Sequence, residues 1–144
     1  MATRSRIGIE DKDGSVRSVY CHWDGYPSNN GRILNNHYTD RAKVEALIAL
    51  GSISSLQENV EIPEGVEHTF ENQHPGITVA YHRDRNEDLS IQNHYSKESF
   101  MKGDVQEYGY LFTQDGKWKF INGHVSPSGR CLAELSETLL NHVD

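Results

Sequence analysis

The chain has 144 residues, with 14 lysines and arginines against 21 aspartates and glutamates; the formal net charge is -7 and the pI lies near 5.6. That balance works against nonspecific attraction to phosphate backbones, so nucleic acid is not the expected partner. Hydrophobic residues make up 35% and the mean hydropathy is -0.70, enough for one modest core, but no apolar run approaches the roughly 20 residues of a membrane helix.

The opening segment Met1-Ala2-Thr3-Arg4-Ser5-Arg6-Ile7 lacks the apolar stretch of a signal peptide, which predicts a protein that stays in the cytoplasm. Cys21 and Cys131 lie far apart without a Cys-x-x-Cys spacing, so both are expected as reduced thiols packed like small apolar groups. Along the chain, Arg6-Ile7-Gly8-Ile9-Glu10 alternates polar and apolar, Asp13-Gly14 supplies a turn, and residues 16–21 resume a strand, giving an N-terminal hairpin. Residues 23–31 are crowded with turn formers and end in a helix start near Ser28 or Asn29, with a short helix over 32–37. Thr39 or Asp40 caps a second helix whose Val44, Leu47 and Ile48 share one face, and Gly51 stops it.

From 52 to 76 the periodicity fades into a long irregular connection pinned by Ile53, Leu56, Val60 and Ile62. Residues 77–81 read as a strand by alternation and β-branching, followed by the charged run 82–88 and a further strand over 89–94. Ser96 caps a single helical turn through Phe100 and Met101 that Gly103 ends. Residues 108–112 and 117–121 flank Gln114-Asp115-Gly116 as a second hairpin. Leu132, Leu135, Leu139 and Val143 then carry helical spacing to the end of the chain. The expected architecture is a single α+β domain over 1–144: a mainly antiparallel sheet of two hairpins plus a further strand, backed by helices on one face.

Two clusters carry chemistry. In the first, His22, Trp23, Asp24, Tyr26, Asn29, Asn30 and Arg32 fall between a strand and a helix start, where free backbone N–H groups, amides and a guanidinium can hold phosphate or carboxylate while Trp23 or Tyr26 stacks on a planar ring. The same residues also serve as plain turn and core formers, and their spacing matches neither a P-loop nor a dinucleotide-binding glycine motif. In the second, His82, Arg83 and Arg85 follow a strand; the arginines can clamp an anion and the imidazole can exchange a proton, or the run is a solvated turn whose charges neutralise one another.

The eight histidines show no metal-binding spacing, no nucleophile elbow is present, and the pairs Glu10 with Asp11 and Glu87 with Asp88 read as solubilising, so no catalytic residue, metal or cofactor is expected.

The opening Met1-Ala2-Thr3-Arg4-Ser5-Arg6-Ile7-Gly8-Ile9-Glu10, the segment Tyr20-Cys21-His22-Trp23-Asp24-Gly25-Tyr26-Pro27 and the region 34–50 resemble a family of small uncharacterised accessory proteins of tailed bacteriophages. The resemblance is carried best by the first third of the chain, and it implies a setting, the cytoplasm of an infected bacterium, without assigning any residue a role.

The leading expectation is a noncatalytic binding protein that sequesters a small anionic, nucleotide-like ligand or blocks a host factor, in the service of counter-defence. A second reading is a small nucleotide-directed hydrolase or transferase, with His22 or His82 as general acid/base and Asp24 orienting it. A third is an acidic inhibitor that docks on a host protein. Exposed aromatics and strand edges also allow a homodimer.

Overall fold

In the computed structural model, which describes residues 2–141, the strands are β1 (Ser5–Glu10), β2 (Val16–Cys21), β3 (Ile53–Ser55), β4 (Val79–Ala80), β5 (Gln92–His94), β6 (Tyr108–Phe112), β7 (Trp118–Asn122) and β8 (Ala133–Glu134). The helices are α1 (Arg32–His37), α2 (Arg41–Ala49), α3 (Tyr81–Arg85), α4 (Lys97–Lys102) and α5 (Leu135–Asn141). Among the described residues the eight strands form one sheet in the order β4-β3-β2-β1-β6-β7-β8, with β5 also on β2. The pairs β1–β6 and β2–β3 are parallel and the others antiparallel. No helix among these residues is long and apolar enough to cross a membrane.

The two expected hairpins, β1–β2 and β6–β7, form the centre, and one turn design closes both. Asp11 N–H donates to Ser15 O at 2.7 Å and Gly14 N–H to Asp11 O at 2.9 Å; in the second hairpin Thr113 N–H donates to Lys117 O at 2.9 Å and Gly116 N–H to Thr113 O at 2.9 Å. Each is a three-residue loop ending on a glycine of positive φ, 90° at Gly14 and 79° at Gly116, a conformation that strains any L side chain.

Alternation along the central strands sends Ile7, Ile9, Val19, Cys21, Tyr110 and Phe112 to one face, where they pack with Leu34 of α1, Val44, Leu47 and Ile48 of α2, and Leu135 and Leu139 of α5. Helix α2 forms where expected: the Asp40 side chain caps it by accepting from Ala42 N–H, and its three apolar residues are fully buried.

The other face carries a helix as well. A side chain at Gly8 would meet Phe100 at 3.3 Å, so its absence lets α4 settle there, and Phe100 clusters with Val16, Val105, Leu111 and Ile121. Ser96 and Ser99 cap α4 reciprocally through 3.1 Å bonds. The sheet is therefore backed by three helices on one side and by α4 on the other.

Elsewhere the elements are shorter than their sequence pattern. Within the expected strand over 77–81 only Val79–Ala80 is regular strand, with Ile77 in an isolated bridge to Asn59, and Tyr81 opens α3: Asp84 Oδ2 accepts the Ala80 N–H at 2.8 Å and turns the charged run into helix. The strand expected over 89–94 pairs with β2 only at Gln92–His94, since β3 occupies the other end of that edge at Cys21. β3 itself lies inside the stretch that reads as irregular.

The C-terminal helix starts at Leu135 rather than Leu132, which packs into the Phe100 cluster; Val143 lies outside the described residues. Cys21 is buried as expected, whereas Cys131 is exposed.

Candidate binding face

On the Phe100 side of the sheet, beyond the part α4 covers, β1 and β2 present a polar and aromatic row. The hairpin register sets Arg6 opposite Tyr20 and Gly8 opposite Ser18. Alternation therefore gives Arg6, Ser18, Tyr20 and, by continuation, Arg4 and His22 one common face.

Arg6 Nη1 donates to Ser18 Oγ at 3.0 Å, and Ser18 Oγ lies 2.6 Å from Nε2 of His94 on β5. Ser18 Oγ thus bridges the guanidinium and the imidazole, and the histidine tautomer sets whether the hydroxyl donates to Nε2 or accepts from it. Burial, and next to it the Arg6 charge, hold the His94 pKa below its ordinary value. Burial also lowers the Arg6 pKa, against the opposing pull of Asp104 and Tyr20. Arg6 Nε is buried and has no hydrogen-bond partner among the described residues.

Next along β2, Tyr20 Oη and His22 Nδ1 are 2.7 Å apart, and Trp23, a residue 43% exposed, stands edge-on to His22 with ring centroids 4.7 Å apart. Burial raises the Tyr20 pKa while the charges of Arg4 and Arg6 lower it, which places both arginines in its field; Tyr81 adds to the rise.

Tyr81 brings in the second cluster. Cys21 pairs with Ile53 and Ile53 with Ala80, so residues 20–22 and 80–82 flank β3, two strand spacings or about 10 Å apart. Tyr81 stacks on Phe70 with centroids 5.6 Å apart, and the Arg85 guanidinium lies 4.3 Å and 5.0 Å from the two ring centres while also pairing with Glu87.

The sequence clusters are regrouped by this geometry. His22 and Trp23 join the face; Asn29, Asn30 and Arg32 do not, because after Cys21 the chain folds over the sheet end onto its helix-covered side. There Asn30 is fully buried and its amide donates to Ser5 Oγ at 3.1 Å and Cys21 Sγ at 3.4 Å. Asn29 Nδ2 donates to Asp24 O and Asn30 Oδ1, both at 3.0 Å.

The expected anion cradle at the helix start is largely spent. A π-helical turn over Pro27–Gly31 runs directly into α1, Tyr26 sits half-buried as its N-cap, Pro27 has no N–H, and the Asn29 N–H is bonded to Tyr26 O at 3.0 Å. Arg32 is exposed on α1. Asp24 adopts φ 54° and does not orient His22, whose partner is Tyr20.

In the second cluster Arg83 faces inward, donating to Val60 O at 2.6 Å, Thr78 O at 2.7 Å and Asp84 Oδ1 at 2.8 Å, and His82 Nδ1 is 2.7 Å from Glu87 O.

Arg4, Arg6, Ser18 and His94 lie outside both sequence clusters, and Tyr20 and Tyr81, which open them, are assigned no role there. The signal for four of them is nevertheless in the chain: Arg4-x-Arg6 and Ser18-x-Tyr20-x-His22 share a face once the Asp13-Gly14 turn fixes the register. Among the described residues, no group of three or more His, Cys, Asp or Glu is placed to hold a metal ion. No family model, curated protein or solved structure matches the chain.

Proposed function

We propose that the protein is a noncatalytic binding module and that the Arg4, Arg6, Tyr20, His22 and Trp23 face takes a nucleotide-like anion. The observation that carries this reading is Arg6, a partly desolvated guanidinium beside a second arginine and a row of rings, in a chain of net charge -7. An anion over Arg4 and Arg6 would offset the cost of desolvating that charge, and Trp23 or Tyr20 offers a surface on which a base stacks.

In the setting implied by the phage resemblance, the ligand would be sequestered, or a host factor masked, in the cytoplasm of an infected bacterium, to the detriment of host defence. The hydrolase reading draws less support: Ser18 is fully buried behind Arg6, and His22 is held by a tyrosine rather than a carboxylate.

Native mass spectrometry of protein purified from infected and uninfected cells should show a mass lost on denaturation. Titration calorimetry with nucleoside triphosphates and with inorganic phosphate then defines the ligand class. Replacing Arg6 by glutamine should weaken nucleotide binding by about 1.5–3 kcal/mol, the worth of a charge-assisted hydrogen bond, or roughly 10- to 150-fold. Unchanged affinity in a folded Arg6→Gln protein, or the absence of both retained mass and binding heat in the wild type, overturns the reading; product formed from the nucleotide would return the hydrolase to the lead.

A further inference from the structure

A second surface lies on the connection that links α2 to β4, away from the arginine face. A cleft of about 610 Å³ opens there, with apolar walls from Ala42 and Ala46 of α2 and from Val60, Pro63, Pro75 and Ile77. That volume falls within the range of sites that hold ligands and peptide anchors.

The connection itself carries charge of one sign. Residues 44–82 contain six glutamates, at 45, 58, 61, 64, 67 and 71, and no lysine, arginine or aspartate. The stretch therefore carries -6 of the total -7, and the remaining residues sum to -1. Glu45 is engaged by Arg17, but among the described residues none of the other five glutamates forms an ion pair.

Glu61 is in the cleft wall, Glu64 follows the lining Pro63, and Glu58 Oε2 reaches the Gly76 end. The lysine in the wall does not neutralise them, because Lys43 Nζ is turned inward onto His37 O at 2.7 Å and Glu58 O at 2.6 Å, over the Tyr38 ring.

The cleft is held open by the fold. Arg83 anchors Val60 O, the buried His68 Nε2 lies 3.3 Å from Asp84 Oδ2, and Asn59 N–H donates to Gly76 O at 3.1 Å. A preformed apolar floor inside an unpaired acidic rim is complementary to one kind of partner. We infer that this cleft docks a basic peptide segment of a partner protein, with a leucine-like side chain seated between Ala46 and Ile77 and flanking arginines or lysines meeting Glu58, Glu61 and Glu64.

The test is fluorescence anisotropy with a short labelled peptide of alternating arginine and leucine, beside versions with serine for leucine and glutamate for arginine. The parent peptide should bind in a salt-sensitive manner and the glutamate version should not. The double variant Glu61→Lys with Glu64→Lys, both exposed, should lose about tenfold or more, and Ala46→Phe, which fills the floor, should lose a similar amount.

Absence of binding overturns the inference. So does equal binding of the serine peptide, which would mark simple charge attraction, or unchanged affinity in the charge-reversed variant with a wild-type melting temperature. Arg6→Gln should leave peptide binding intact, which separates this surface from the anion face.

Discussion

Arg6, Ser18 and His94 form a hydrogen-bonded chain across β1, β2 and β5. Arg6 can only donate, whereas the Ser18 hydroxyl can donate to His94 Nε2 or accept from it. Protonating His94 would set a second cation beside Arg6 in a partly buried site. That is why burial and the arginine hold its pKa below the ordinary 6.5.

The unfolded chain therefore binds more protons than the folded one in the window between the folded value and 6.5. The contribution to stability is complete above pH 6.5, and it falls as the pH drops from there through the folded pKa. Urea denaturation at a series of pH values should show this acid loss in the wild type and a shallower slope in His94→Gln, which keeps a side-chain acceptor but does not titrate. An unchanged slope in that variant would assign the acid sensitivity to other groups.

At the scale of elements, α3 shows how a charged run becomes structural. Burial alone would raise the Asp84 pKa, but the Arg83 and Ala80 hydrogen bonds and the nearby His68 outweigh it and the net shift is downward; the side chain is 1% exposed. Removing Arg83 leaves that carboxylate buried with only the Ala80 N–H and His68 beside it and releases the carbonyls of Val60 and Thr78. Arg83→Ala should cost about 3 kcal/mol, the low end for breaking a buried pair because the arginine is itself a quarter exposed. Amide exchange should rise first over residues 57–78, the span that Arg83 and His68 hold; a protein equally stable and equally protected would show that the apolar anchors Leu56 and Val60 suffice.

The run was ambiguous in the sequence because its spacing fits a turn, an anion clamp and a helix equally well, and the Ala80 to Asp84 bond that decides among them is a tertiary detail. The hairpins were legible because an Asp-Gly turn and strand alternation agree at each. β4 was legible within the strand expected over 77–81, but β3 and β8 were not, since strands of two or three residues are too short to display a period and owe their pairing to their neighbours in the sheet. The candidate face was half legible: His22 and Trp23 stood out by type, whereas Arg6 and Tyr20 emerge only from counting register across the turn.

Over the whole molecule, the three helices on one side of the sheet bring the start and the end of the chain together. A side chain at Gly31, where the π-helical turn meets α1, would lie 3.3 Å from both Leu135 and Leu139, so α5 packs directly on the segment that follows β2. The C-terminal helix thereby completes the core on which β1 and β2 rest, and with them the row of Arg6, Tyr20 and His22 on the opposite face.

Leu135 is fully buried, while Leu140 on the same helix is 85% exposed, so the two positions separate core packing from helix propensity. Leu135→Ala should lower stability by about 2–5 kcal/mol through lost burial and the cavity left behind, whereas Leu140→Ala should change it by less than about 0.5 kcal/mol. Chemical denaturation of the two variants measures both effects. Comparable small losses at both positions would mean that α5 is peripheral and that the β1–β2 face is organised without it; a large loss confined to Leu135, accompanied by weaker nucleotide binding in the folded fraction, would tie the C-terminal helix to the geometry of the anion face across the thickness of the sheet.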